Sequence, residues 1–254
     1  HLIDYAVDYF TTLKDKYGKG RERLTELRNF DNIQATKVVL RNQKFYVNRE
    51  EGFVGMGLKK DEYVGECSDI DDIIVFLRDG KMMVTKIDDK KFIGKDIIHV
   101  AVFKKNDTRT VYNMIYRDGK NGPSYIKRFN VTGVTRDKEY DLTKGTDKTR
   151  VHYFTANLNG EAETLKLILS PNCTARIKEL DFYFEEIEIK GRSSMGNQVT
   201  KYPIKTVKFK EAGKSTLAGR KLWFDDKFGR LNTEEKGQYL GSFEEEKLLV
   251  VYHD

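Results

Sequence analysis

Cysteine is nearly absent from this chain. Cys67 and Cys173 are the only two, they stand far apart, and neither belongs to a Cys-x-x-Cys pair. Neither a zinc site nor a disulfide framework is expected, and a reducing compartment fits. Long hydrophobic runs are missing too: the strongest apolar stretches are as short as Ile73–Leu77, far below the roughly 18 residues that cross a bilayer. No membrane partner is expected. The chain starts at His1 with no basic-then-apolar leader and closes on the strand-like Leu248–Tyr252, so a piece cut from a longer protein is expected.

Catalytic and metal signatures are equally scarce. His99 and His152 sit inside apolar runs with no His-x-x-x-His or His-Glu spacing, which leaves them to pack or to face solvent. Gly52, Gly55 and Gly57 stand in the wrong order for a dinucleotide loop. Asp69, Asp71 and Asp72 could suggest a divalent-metal cluster, but acidic residues just before a strand are more simply turn chemistry. No set of His, Asp and Ser converges on a hydrolase. The expectation is no catalytic residue, no metal and no cofactor in this chain.

What is present is β pattern and unevenly placed charge. The hydrophobic content of 39% is enough for a real core. The net charge is +6. Residues 104–150 hold 12 Lys/Arg against 6 Asp/Glu, residues 187–230 hold 11 against 4, and residues 231–254 hold 2 against 6. Positive charge gathered in two zones can draw in a polyanion. Lysine common on solvated β surfaces explains the composition equally well.

Leu2, Ile3, Ala6, Phe10, Leu13 and Tyr17 recur at steps of three and four, predicting an amphipathic helix that Gly18-Lys19-Gly20 stops. Residues 21–28 predict a further turn or two of helix. From residue 37 onward one phrase returns: a β run, a tight turn, a basic residue, a second β run. Copies stand at 37–48, 73–87, 112–129, 152–169 and 221–235, and KLLVVYHD at 247–254 would open another. The two Arg-Asp-Gly-Lys turns, at 78–81 and 117–120, lie 39 residues apart, and Asp-Gly between β runs predicts type I′ hairpins. The doubled gap between Gly160 and Gly229 reads as one unit with a long insert. The predicted fold is mainly β and propeller-like, with five, or alternatively six, four-stranded blades after a short helical segment. The predicted boundary separates a helical connector at 1–30 from a β domain at 31–254. Trp223, beside Phe224, is expected to fill space between sheets.

The helix followed by Asp15–Leu27 resembles the end of the catalytic core of gyrase and topoisomerase IV A subunits. Gly52–Val64 and then Asp71–Gly80 resemble the first-to-second blade transition of that family's β-pinwheel. Glu188–Val199 is similar to the basic, glycine-rich loops between its blades. The resemblance is to the C-terminal domain of a bacterial type IIA topoisomerase A subunit. It implies a domain that binds and bends double-stranded DNA on a basic outer rim. The enzyme's cleaving tyrosine would lie upstream of His1, and its Mg²⁺ and ATP would be used elsewhere in the holoenzyme. The implied partners are duplex DNA, a B subunit with ATPase activity, plus a second A subunit. The implied location is the cytoplasm, at the nucleoid. Gyrase carries Q-R-R-G-G-K-G in the first-blade loop, where this chain has Asn48-Arg49-Glu50-Glu51-Gly52. Two carboxylates in place of cations argue for the topoisomerase IV kind.

The candidate phosphate contacts are the cations in or beside turns: Arg78, Lys81, Arg117, Lys120, Lys127, Arg128, Lys190, Arg192, Lys201, Lys205, Arg220, Lys221, Lys227 and Arg230. Lys190-Gly191-Arg192 is the best single site, since glycine admits close backbone approach between two cations. The alternative is a propeller-type scaffold for protein partners without DNA binding. Against it, the Trp-Asp and Gly-His signals of the commonest propellers are missing.

Overall fold

A computed structural model describes residues 1–20, 43–226, 228–233 and 235–244. The chain divides into two compact units, residues 1–40 and 41–254. In the first, the predicted helix is present as α1 (Leu2–Tyr17), and Gly18 closes it by donating its N–H to the Lys14 carbonyl. None of its residues is buried: Leu2, Ile3 and Phe10 all stand open to solvent. The further helical turns expected at 21–28, the first half of the copy at 37–48 and the strand expected at 247–254 lie outside the described residues.

The second unit is built from a repeated strand order. The first repeat holds β1 (Gln43–Asn48), β2 (Phe53–Gly55) and β3 (Glu62–Cys67). The second holds β4 (Asp72–Leu77), β5 (Lys81–Lys86), β6 (Lys91–Phe92) and β7 (Ile97–Val102). The third holds β8 (Val111–Arg117), β9 (Ser124–Asn130), β10 (Glu139–Asp141) and β11 (Arg150–Asn157). The fourth holds β12 (Thr164–Leu169), β13 (Glu179–Tyr183), β14 (Ile189–Gly191), β15 (Asn197–Thr200) and β16 (Ile204–Glu211). The fifth holds β17 (Arg220–Asp225), β18 (Arg230–Asn232) and β19 (Gln238–Phe243).

In every repeat the first two strands form an antiparallel hairpin and the last strand pairs back on the first. In the second, third and fourth repeats the chain between them reaches back to the previous sheet: β6 covers the edge of β2, β10 that of β5, and β14 with β15 that of β9. Each borrowed strand closes an edge that would otherwise expose a row of unpaired backbone groups. The described residues therefore form five sheets of four, four, five, three and three strands. The copy expected as a hairpin at 152–169 is not one. Its two halves are β11 and β12, which lie in different sheets, and the residues between them are a crossover.

The sheets of the first four repeats share cores in sequence. Ile73, Val75 and Leu77 face Phe45, Val47 and Val54 of the first sheet. Ile74 and Phe76 face Tyr112, Met114 and Phe129 of the third. Ile115 and Ile126 face Leu165, Leu167 and Phe184 of the fourth. A strand covered on both faces reads as a continuous apolar run rather than an alternation, which is why Ile73–Leu77 is apolar throughout. Trp223 is half-buried against Tyr239 of its own sheet, with ring centroids 5.2 Å apart.

The Asp-Gly turns differ from the type I′ geometry expected. Gly80 has φ 88° and Gly119 φ 71°, but neither Asp79 nor Asp118 takes a positive φ. At the first, the Gly80 N–H donates to the Leu77 carbonyl, the three-residue loop with a left-handed glycine at its end. The acidic residues at 69–72 do serve the turn: the Ser68 N–H donates to Asp71, and Asp72 pairs with Arg136 at 2.9 Å.

His99 packs among Phe76, Tyr112 and Phe154. Burial, and secondarily the Arg49 guanidinium, pushes its imidazole down to about 4 from 6.5. An unfolded chain then takes up a proton that the folded one refuses, so stability is lost as pH falls from about 6.5 to about 4. Discounted for partial exposure, the loss should be about 1–2 kcal/mol. A His99→Phe variant should show a correspondingly shallower fall in a denaturant titration between pH 7 and 4. An identical pH profile would contradict the assignment.

Candidate nucleic-acid interface

The predicted cations fall into three groups. Lys120, Lys190, Lys201, Lys205, Arg220, Lys221 and Arg230 are exposed. Lys120 sits in the β8–β9 turn and Lys190 on the borrowed strand β14, where it lies 3.4 Å from Glu188. Arg78, Lys81, Arg117 and Arg192 are half-buried and already hold local partners. Lys81 pairs with Glu139 at 2.6 Å, and that hydrogen bond raises the lysine pKa. Arg192 donates to the Gly133 carbonyl at 2.8 Å and lies 4.5 Å over the Tyr140 ring, so the proposed Lys190-Gly191-Arg192 pair offers one exposed cation, ion-paired with Glu188, and one half-buried cation held by local partners. Lys227 lies outside the described residues.

Lys127 and Arg128 are corrections. Both are 1% exposed, in the middle of β9, a strand covered on both faces. The Lys127 ammonium donates to the carbonyls of Leu142, Arg192 and Ser194 at 2.7, 2.7 and 2.6 Å. Burial pushes it down to about 7, and three carbonyls that can only accept from it oppose that. Arg128 donates to Asn113 at 3.0 Å and to the carbonyls of Gly160, Glu161 and Phe184 at 2.9, 3.3 and 3.4 Å. Asn113 in turn donates to the buried Glu163 carboxylate at 2.8 Å. These two cations tie the third sheet to its neighbours and are buried out of a phosphate's reach. The sequence read them as turn-adjacent because they follow the Arg-Asp-Gly-Lys segment, whereas the turn ends at Pro123.

Arg78 and Arg117, equivalent positions of the two Arg-Asp-Gly-Lys turns, are brought together at the start of β11. The Val151 N–H donates to the Arg78 carbonyl at 2.8 Å, and the Arg78 guanidinium reaches the Val151 carbonyl at 3.5 Å. Arg117 is the cross-strand partner of Arg150. His152 is the extra residue of a bulge, since Val151 and Tyr153 oppose consecutive residues of β8. Burial first, and then Arg117, Arg150 and Arg78, push its imidazole down to about 4. Sequence reasoning missed Arg150: it precedes an apolar run without a turn signal, and only the strand register places it opposite Arg117.

The first-hairpin loop also shows why it departs from a cationic pattern. Its one cation, Arg49, makes a bidentate pair with Glu62, both bonds 2.7 Å, and Glu62 is held below its usual carboxylate range by that bond. The Glu51 carboxylate accepts a weak hydrogen bond from Asn48 at 3.5 Å rather than facing a cation.

A family model described as the topoisomerase C-terminal domain of Bacteroidota matches residues 44–211. The chain belongs to this family. The match spans the first four repeats, and the resemblance read from the sequence stands with it. The A subunit of DNA topoisomerase 4 from Borreliella burgdorferi (strain ATCC 35210 / DSM 4680 / CIP 102532 / B31) is 28% identical over 211 residues, 81% of this chain and 31% of that protein. The chain thus spans about a third of that relative's length. A crystal structure of the C-terminal domain of DNA topoisomerase IV overlaps 79% of this topoisomerase domain and 71% of its own chain, with TM-score 0.47 and 14% identity.

Proposed function

We propose that this topoisomerase C-terminal domain binds duplex DNA through its phosphates and bends it, as part of a topoisomerase IV kind of A subunit. The observation that carries the reading is the family membership joined to a set of exposed cations on turns and borrowed strands. Lysine and arginine there would displace condensed counterions from the duplex without reading its sequence. Bending 20–30 base pairs costs on the order of 1–6 kcal/mol, which several such contacts along a curved path would offset. The ion-paired Arg49 loop supports the topoisomerase IV kind over a gyrase-like wrap. In the holoenzyme, two A subunits with two ATPase B subunits would use this grip to present the transported duplex for decatenation or relaxation in the bacterial cytoplasm, at the nucleoid. Cleavage by tyrosine and Mg²⁺, and ATP hydrolysis, would belong to other parts of that assembly.

A Lys120→Glu, Lys190→Glu variant tests this directly. Both side chains are exposed, so thermal stability should be unchanged while duplex affinity at about 100 mM salt falls by roughly tenfold or more, as for two lost phosphate contacts. Unchanged affinity in a folded variant would remove these two positions from the interface. Absence of duplex binding by the parent chain would favour a protein-partner scaffold instead.

A further inference from the structure

We infer that Arg78, Arg117 and Arg150 form one built subsite that seats a single phosphate, against the His152 ring, at the junction of the second and third repeats. The inference rests on the duplex-binding reading and deepens it. Three arginine backbones meet at one place: Arg78 accepts at its carbonyl from Val151, Arg117 and Arg150 face each other by cross-strand register, and all three charges act on His152. Arg117 is fixed further by a 3.0 Å bond from its Nε to the Gly119 carbonyl. None of the three forms an ion pair among the described residues, although Lys81, Arg49, Arg136 and Lys144 all do. Asp118, the acidic residue of the third repeat's own turn, is turned to Lys144 at 3.3 Å.

A second observation lies beside the group, at the bulge residue two after Arg150. The His152 Nε2 is shut off from solvent and has no hydrogen-bond partner. A buried polar atom without a partner is costly, and neighbouring like charges without an ion-pair partner repel one another. One anion would relieve the like charge: its oxygens accept from the guanidiniums, and its negative charge beside the ring favours the protonated imidazole. Arginine suits this because its planar fork fits phosphate geometry and keeps its charge at any working pH. A phosphodiester in a duplex backbone and free inorganic phosphate share that chemistry.

The salt dependence of duplex binding separates a shared subsite from three separate contacts. In the full 254-residue chain, Arg78→Gln, Arg117→Gln and Arg150→Gln together should lower the slope of log affinity against log salt by about 0.9, the value for one phosphate. Any one of them alone should produce most of that loss. Glutamine keeps an N–H for the local carbonyls, and unchanged thermal unfolding confirms the fold. A slope reduced by about 2.7 would mean three separate phosphates and would overturn the shared site. An unchanged slope, with the parent chain binding duplex, would overturn any phosphate there while leaving the domain's function intact. If the parent chain binds no duplex, the function reading has failed, and the cluster is judged by titrating inorganic phosphate and following the His152 imidazole by NMR. A saturable shift, lost in the triple variant, keeps the anion site; no shift removes it.

Discussion

Arg128→Met is expected to destabilise the β domain by about 3–5 kcal/mol, the range for removing one member of a buried charged pair. Methionine fills similar volume, so the cost is polar rather than a cavity. It strands the Asn113 side-chain carbonyl, takes one donor from each of the main-chain carbonyls of Gly160, Glu161 and Phe184, and removes the positive charge that acts on the buried Glu163 carboxylate. At about 2–4 °C per kcal/mol for a domain of this size, the melting temperature should drop by roughly 6–20 °C. Adding Glu163→Gln should recover part of the loss, because it removes the buried charge that Arg128 balances. A variant that melts with the parent chain but binds DNA more weakly would return Arg128 to the interface and contradict its interior placement.

Lys127→Met should act differently, by loosening one segment. The Lys127 ammonium is the common donor for carbonyls at 142, 192 and 194, so it pins the turn between β14 and β15 onto the third sheet. Two other features hold that turn. The Tyr116 hydroxyl donates to the Met195 carbonyl at 2.7 Å, and Gly196, at φ 83°, lies so close that an added Cβ would stand 2.3 Å from the Ile126 carbonyl oxygen. We expect a global cost of about 2–4 kcal/mol. Hydrogen exchange should accelerate most at residues 191–196, more than in the hairpin of β4 and β5. Gly196→Ala should show the same local signature, since alanine is strained at that φ and meets backbone besides. Uniform acceleration across all sheets in the lysine variant would refute the clamp.

The repeat was legible in the sequence because its carriers are local. Hairpins show as paired β runs around glycine turns, and Ile73–Leu77 shows as a short apolar run of strand length. What could not be read is the strand exchange. β6 has two residues and β10 three, too short for any alternation, and they pair with strands tens of residues away. That exchange explains the error at 152–169, where a β–turn–β pattern joins two sheets instead of forming one hairpin. It also explains the site. Lys120 was legible as an exposed candidate, because a turn is marked by its own residues, and Lys190 because it stands beside Gly191 in a glycine-containing basic segment. Lys127 and Arg128 were misread, because burial on both faces of β9 depends on which sheets flank it. Arg150 went unnoticed for the same reason, since only register sets it against Arg117.

Duplex binding through backbone phosphates can be measured directly, as the affinity of the full chain for a mixed-sequence duplex at about 50 and about 200 mM salt. A grip of six to ten phosphates predicts tight binding at the lower salt and a loss of roughly 10³ to 10⁵ at the higher, with little change when the duplex sequence is scrambled. Binding that is absent at both salts, or that persists undiminished at the higher one, would contradict it.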